Sequence, residues 1–267
     1  MSPLPIPTSQ PPLSLGIIGV GAFGGLMVEH LRPFFPLYLC DSLRDLKDFL
    51  GDSSADGHPV VAADLAQICQ CDLIVLATPL SQFQAIADQM AKLMAVPDQN
   101  RPAPLVMDVA SVKMVPTSIL RSALPAWVDI VGLHPLFGPQ SGKNGIAGLN
   151  ITVCEVRGGR APAVAEFLSR QLALNVIETT PEAHDQELAY VQGLTHMIAN
   201  VFVRLELPAF QQTTKTFELL RAMVEMVRYD SIELFRTIER DNPFMPATKQ
   251  RFFEAVRELE AFLAEKN

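Results

Sequence analysis

Residues 13–24 constrain this chain more than any other stretch. A short apolar, β-branched run at 13–20 meets the turn Gly19-Val20-Gly21-Ala22-Phe23-Gly24, and residues 23–31 continue with helix-forming side chains until Pro33 stops them. A buried strand that enters a tight turn and at once begins a helix is the opening unit of a parallel α/β sheet. In that setting the G-x-G-x-x-G spacing has a physical logic. Gly19 permits the turn, Gly21 lets the backbone come close to a pyrophosphate, and Gly24 lets helix and strand touch. The helix beginning at Ala22 and Phe23 presents free N–H groups and partial positive charge to phosphate.

The same alternation continues downstream. Strands are expected at 37–40, 59–62, 73–77, 105–109, 131–133, 151–156 and 175–179. Helices are expected at 64–70 with Asp64 as N-cap, at 81–94 with Ser81 as N-cap, and at 161–172. Beyond Pro181 the strand pattern ends. Leu220, Met223, Val224 and Val227 fall at the i, i+3, i+4, i+7 positions of an amphipathic helix. Phe235 and Ile238 mark another, and Phe252, Val256, Leu259 and Leu263 a last one. The expected architecture is a Rossmann-type doubly wound parallel sheet at 13–180 followed by an all-helical domain at 181–267. The first 12 residues, with five prolines, read as a disordered tail.

The second expected strand ends in Asp41, 22 residues after Gly19 (41 − 19). That is where an acid accepts hydrogen bonds from an adenosine ribose, and its charge repels a 2′-phosphate. NAD is therefore the expected cofactor, and Arg44 nearby leaves NADP open. The chain has 267 residues, 49% of them hydrophobic, enough for a large packed core. A net charge of −8 excludes nucleic acid as a partner, because its phosphates demand a basic surface. No run approaches the roughly 20 apolar residues of a membrane span. Cys69 and Cys71 lack the second pair or nearby histidines that zinc needs, so no metal is expected; Cys40 and Cys154 sit in apolar runs. Nothing suggests a disulfide framework, and a cytoplasmic location is the expectation.

Four segments, in order, carry a family resemblance. They are the glycine turn, Asp108-Val109-Ala110-Ser111-Val112-Lys113, the run Gly132-Leu133-His134-Pro135-Leu136-Phe137-Gly138-Pro139-Gln140-Ser141-Gly142, and His184-Asp185-Gln186 with Leu194-Thr195-His196. Together they resemble the prephenate and arogenate dehydrogenases of tyrosine biosynthesis, across about residues 14–240. The resemblance implies an oxidative decarboxylation of prephenate to 4-hydroxyphenylpyruvate with hydride transfer to NAD, or of arogenate directly to tyrosine. It implies His134 as the catalytic group for the substrate hydroxyl, which suits a side chain neutral near pH 7. Ser111 resembles the serine that bonds the same hydroxyl and orients the imidazole, and it could equally cap the following helix. His196, His184, Gln140 and Lys113 are implied at the substrate. Thr78-Pro79 resembles a cofactor-contacting turn, and Ala110 joins Gly19, Gly21, Ala22, Phe23, Gly24 and Asp41 as a cofactor contact. The helical domain is implied to make a homodimer.

Prephenate-using relatives place an arginine on a helix of the second domain to hold a carboxylate. Glu218 falls there instead, with Arg221 one turn on and Arg228 beyond. Either Arg221 or Arg228 takes the place of that clamp, or the substrate carries the amine of arogenate, which tolerates an acid. The segment 217–235 looks more like the plant-type arogenate enzymes, which prefer NADP, whereas Asp41 argues for NAD. With no mutase segment expected ahead of the sheet and no regulatory domain expected after residue 267, any feedback by tyrosine would have to act at the active site. The competing readings are a β-hydroxyacid or imine-reducing Rossmann dehydrogenase, which lacks the H-P-L-F-G-P run, and a non-catalytic dinucleotide sensor, which would have lost His134 or Ser111.

Overall fold

The computed structural model describes residues 12–51, 57–98 and 101–265. The proline-rich tail expected at 1–12 lies outside them, apart from its last residue. Eight strands form one sheet in the order β3-β2-β1-β4-β5-β6-β7-β8. They are β1 (Leu15–Ile18), β2 (Leu37–Cys40), β3 (Val60–Ala62), β4 (Leu73–Leu76), β5 (Leu105–Asp108), β6 (Asp129–Pro135), β7 (Asn150–Arg157) and β8 (Asn175–Thr179). The first six run parallel, the doubly wound order 3-2-1-4-5-6. The parallel sheet expected from sequence then reverses: β7 pairs antiparallel with β6, and β8 runs parallel to β7. The 14 residues between Pro135 and Asn150 hold only the four-residue α5, and the chain returns antiparallel to β6.

The connecting helices are α1 (Ala22–Leu31), α2 (Leu65–Ile68), α3 (Phe83–Leu93), α4 (Met114–Ala123), α5 (Pro139–Gly142) and α6 (Ala161–Arg170). Strands β1, β4 and β5 are almost wholly buried because helices cover both faces of the sheet. One apolar layer centres on Ile17, Leu39, Val75 and Leu133, the other on Ile18, Ile74, Phe83, Met90 and Val106. Phe83 alone, fully buried, contributes about 1.5–3 kcal/mol of transfer free energy. Asp64 caps α2 as expected, completing a capping box with Gln67. Ser81 does not cap a helix. Residues Leu80–Gln82 form a 3-10 turn, and the Ser81 hydroxyl donates to Glu233 of the C-terminal region (2.7 Å).

From Pro181 onward the described chain is helical: α7 (Pro181–Leu188), α8 (Thr195–Arg204), α9 (Lys215–Val227), α10 (Ile232–Arg236) and α11 (Met245–Ala264). A π-helical segment, Ala189–Leu194, joins α7 to α8, and a second, Thr237–Asp241, follows α10. Gly193 in the first segment lies against the Met245 thioether, so closely that a Cβ would displace it. Among the described residues no helix is long and apolar enough to cross a membrane.

Candidate functional site

The carboxyl ends of β1, β4, β5 and β6 lie side by side in the sheet, and the motif-bearing loops leave from them. At β1, Gly19 has φ +93°, and a Cβ there would meet the Ala77 carbonyl oxygen at 2.8 Å. A Cβ on Gly24 would run into the Gly19 carbonyl oxygen, so α1 starts in direct contact with the turn. A Cβ on Gly21 would meet nothing within 4 Å, and Gly21 caps α1 without any side-chain hydrogen bond. The turn thus leaves open space over a helix N-terminus whose first N–H groups have no helical partner. Beside it, after β4, the buried Thr78 hydroxyl has no partner among the described residues. Pro79, next to it, is exposed.

Asp41 follows β2 and leans back over the turn. Its Oδ2 accepts from Val20 N–H (2.8 Å) and its Oδ1 from Leu43 and Arg44 N–H (2.9 and 3.0 Å). Burial alone would raise this carboxyl, but the three N–H bonds and the Arg44 charge outweigh it and hold it below the usual carboxylate range. A carboxylate has about four acceptor positions, so capacity for one ribose hydroxyl remains. Arg44 donates to the Val20 carbonyl (2.7 Å) and lies over the Phe49 ring. Open space over a helix N-terminus, an orphaned hydroxyl and an acid at the ribose position fit a dinucleotide.

At β5 and β6 the polar groups are buried. Lys113 and Asp108 have no exposed side-chain surface and form an ion pair. Lys113 Nζ also donates to the Leu133 carbonyl (2.5 Å), one residue before His134. Burial raises the Asp108 carboxyl above its usual range in spite of Lys113, and its Oδ2 has no partner among the described residues. His134, in β6, is buried and brings Nδ1 to 2.8 Å from Nε2 of His184 on α7. His184 Nδ1 faces Asp185 Oδ1 at 2.7 Å. Asp185, fully buried, also accepts from the backbone N–H of Lys113 (2.7 Å) and Met114 (2.8 Å), the first turn of α4. Asn242 donates to the Asp185 carbonyl (2.7 Å). Burial, then the proximity of His184 and of the Lys113 ammonium, push His134 well below the ordinary histidine value. His134 is therefore a neutral imidazole at pH 7 and available as a base.

His196, on α8, is buried and pushed down to about 4 by burial. Asp230, in the turn after α9, lies 3.8 Å from its Nδ1. That exceeds hydrogen-bond distance, and with His196 neutral it is no ion pair. Burial raises the Asp230 carboxyl as well.

Residues 57–149 match a family model described as prephenate dehydrogenase, nucleotide-binding domain. The chain is 30% identical over 248 residues to arogenate dehydrogenase 2, chloroplastic, of Arabidopsis thaliana, covering 86% of this chain and 64% of that protein. It is 28% identical over 261 residues to arogenate dehydrogenase 1, chloroplastic, of the same plant, covering 94% and 39%. The chain thus spans roughly two fifths to under two thirds of the length of these relatives. Among solved structures, prephenate dehydrogenase from Aquifex aeolicus, in complex with hydroxyphenyl propionate and NAD+, superposes with TM-score 0.69 at 18% identity, covering 96% of this chain and 92% of that one. Synechocystis arogenate dehydrogenase gives TM-score 0.65 at 17% identity, covering 94% and 92%. The chain is similar to the prephenate/arogenate dehydrogenase family, whose nucleotide-binding domain its residues 57–149 match. The two structural likenesses bear on the fold, which they share from sheet to C-terminal helices.

The structure gathers some of the residues singled out in the sequence and separates others. His134, His184 and Lys113 meet in one buried network. Lys113 lies inside it with its ammonium spent on Asp108 and Leu133, so the expectation that it contacts substrate does not fit its burial. Ser111 and Ala110 lie partly exposed on the loop after β5. Ser111 does not cap α4. The N-cap position is Lys113, and Asp185 supplies the acceptors from α7. Gln140 is exposed on α5, where Ser141 closes the Gly138 turn. Arg221 does not reach the histidines. It pairs with Glu218 (3.6 Å) and lines a groove of about 360 Å³ with Phe202, Phe210, Phe217 and Arg228. Asp108 and Asp185 lie in segments that carry the family resemblance but were given no role there, and Asp230 and Asn242 were not singled out.

Proposed function

We propose that the protein oxidatively decarboxylates a cyclohexadienol of the prephenate/arogenate type, with NAD as hydride acceptor, as a step of tyrosine formation. The observation that carries this is His134. It is a buried, neutral imidazole at the carboxyl end of β6, in the same row of strand ends as the open glycine turn. Gly19, Gly21, Ala22, Phe23 and Gly24 hold the pyrophosphate, Asp41 the ribose, and Thr78, Pro79 and Ala110 the remainder. The bound nicotinamide supplies the hydride acceptor. His134 takes the proton of the ring hydroxyl as the carbinol carbon is oxidised, and Ser111 orients that hydroxyl. Carbon dioxide leaves the opposite ring carbon and the ring becomes aromatic. The division at residue 180 separates a nucleotide domain from a helical one, with the substrate between them.

Arogenate is the favoured substrate. His196 is neutral, and the acid beside it, Asp230, has no cationic partner among the described residues and keeps 33% of its side chain exposed. A carboxylate so placed suits the substrate's ammonium group, whereas the keto group of prephenate gives it nothing. Glu218 is less suited, since Arg221 already pairs with it.

The partner we propose is a second copy of this chain. Leu219, Met226, Phe262 and Leu263 on α9 and α11 are each more than 60% exposed, an apolar surface unusual for a monomer. A monomeric mass by light scattering at micromolar protein would remove that reading. The four free cysteines favour a reducing compartment, and the cytoplasm is the proposed one.

The deciding experiment follows nucleotide reduction at 340 nm with prephenate or arogenate, each with NAD or NADP, for wild type and His134→Asn. Turnover with arogenate and NAD, reduced roughly 10² to 10⁴-fold in the variant, is expected. Silence in all four pairs, or wild-type turnover by His134→Asn, would overturn the proposal.

A further inference from the structure

Building on the reading of His134 as the base, we propose that His184 and Asp185 are its positioning residues. They fix its tautomer so that Nε2 is the free base, and they place a carboxylate where the resulting positive charge is met. The sequence resemblance put His184 against substrate; the geometry points it the other way, into the protein.

The argument is one of donors and acceptors. Asp185 accepts two backbone N–H bonds from the first turn of α4 and meets His184 with the same Oδ1 that takes the Lys113 N–H. It is an acceptor in this network, so His184 Nδ1 carries the hydrogen and donates. A neutral His184 then has only a lone pair at Nε2. That lone pair lies 2.8 Å from His134 Nδ1, which must donate to it. The proton of neutral His134 is thereby held at Nδ1, and Nε2 is left unprotonated. When the substrate hydroxyl gives up its proton, that proton goes to Nε2. The imidazolium keeps its Nδ1–H bond to His184, whose own Nδ1–H bond ends on the Asp185 carboxylate.

Nothing in this chain of contacts is loose. His134, His184 and Asp185 are 3%, 1% and 0% exposed, and the two imidazoles meet edge to face. Asn242 holds the Asp185 backbone from the second π-helical end, and α4 holds its side chain. The other charged or titratable groups near His134 are Lys113 and Asp108, paired with each other, and Cys154 on β7, whose thiol burial pushes up to about 12. Among the described residues Asp185 is the carboxylate that contacts His184. It is therefore the negative charge coupled to His134 through hydrogen bonds.

The test has two readouts. Imidazole ¹⁵N–¹H correlation spectra of the protein without substrate report the tautomer directly and do not depend on the proposed reaction. His134 protonated at Nδ1 and bare at Nε2 is expected; the opposite tautomer would overturn the proposal. The second readout is the pH profile of kcat and kcat/KM for His184→Gln and Asp185→Asn. Because Asp185→Asn puts an amide donor against a backbone N–H and risks misfolding, His184→Gln carries the measurement. Loss of at least tenfold in kcat with KM within about twofold, and an acid limb displaced from the wild type's, is expected. A folded His184→Gln enzyme with wild-type kcat and an unmoved limb overturns the positioning role, while an inactive wild type with the Nδ1–H tautomer would fault the reaction assigned to the site and leave the geometry standing.

Discussion

Lys113→Met tests how β6, the strand that carries His134, is held. The substitution keeps the aliphatic stem and removes a cation that has no exposed surface, leaving Asp108 buried with neither oxygen paired to a charge. Of its former contacts Asp108 keeps only the Ala110 N–H bond (3.0 Å), and the Leu133 carbonyl loses its donor. Breaking a buried ion pair by removing one member costs about 3–5 kcal/mol. With a urea slope of roughly 3 kcal/mol per M, the unfolding midpoint falls by about 1 M or more. The sign with pH follows from Asp108. Its folded carboxyl already sits above the unfolded value, and losing Lys113 raises it further. A group with a raised folded pKa stabilises fully below the unfolded value and loses that contribution as pH rises through the folded one. The variant should therefore lie nearest to wild type in acid and fall further behind toward neutrality. Adding Asp108→Asn removes the stranded charge and should recover most of the loss, giving a coupling energy of the same order as the single deficit. Urea titrations at fixed protein concentration and several pH values measure all of this. A Lys113→Met deficit below about 1 kcal/mol at pH 8, a deficit that does not change with pH, or a double variant no better than the single would refute the reasoning.

Gly24→Ala places a methyl against the Gly19 carbonyl oxygen and forces the turn and α1 apart, so dinucleotide affinity should fall by an order of magnitude or more. Fluorescence titration with NADH reads this, and an unchanged Kd would show that the turn does not set the phosphate site. Asp41→Asn removes the charge that opposes a 2′-phosphate and, with its amide oxygen kept on Leu43 and Arg44, leaves the Val20 N–H without an acceptor. The NADP to NAD ratio of kcat/KM should rise about tenfold, roughly 1.4 kcal/mol. Because Asp41 is held below the usual carboxylate range, the wild-type cofactor preference should not change between about pH 7.5 and 9, above the titration of the 2′-phosphate itself. An unaltered ratio in the variant, or a wild-type preference that titrates in that window, would separate Asp41 from cofactor choice.

Period and punctuation carried most of the sheet into view. Strands β2 and β8 begin and end where alternation and flanking proline or glycine put them, and β1, β4 and β5 differ by one or two residues at their ends. Helix α4 was harder to see. Val115, Pro116, Thr117 and Ile119 are poor helix formers, and only because Pro116 falls in the first turn, where its missing N–H has no partner to lose, is the helix tolerated. The reversal at β7 left no local mark, since a buried strand reads the same in either direction.

The candidate site divides along the same line. Residues whose roles rest on neighbours in the chain were legible: the glycines shape their own turn, and Asp41 turns back on Val20 within 21 residues. Residues whose roles rest on distant partners were not. Asp185 binds the start of α4 from 72 residues away, and Ser81, which reads as a helix cap, gives its hydroxyl to Glu233 across 152. Capping rules assume that a helix end is satisfied by its own flanking residues. Here α4 takes its cap from α7, and the same carboxylate is spent on His184. A local cap such as Ser111 would satisfy α4 equally well but would leave His184 Nδ1 without an acceptor. The cap comes from the second part of the chain because it has two tasks, and only a residue folded in from there can reach both the α4 N-terminus and the histidine pair.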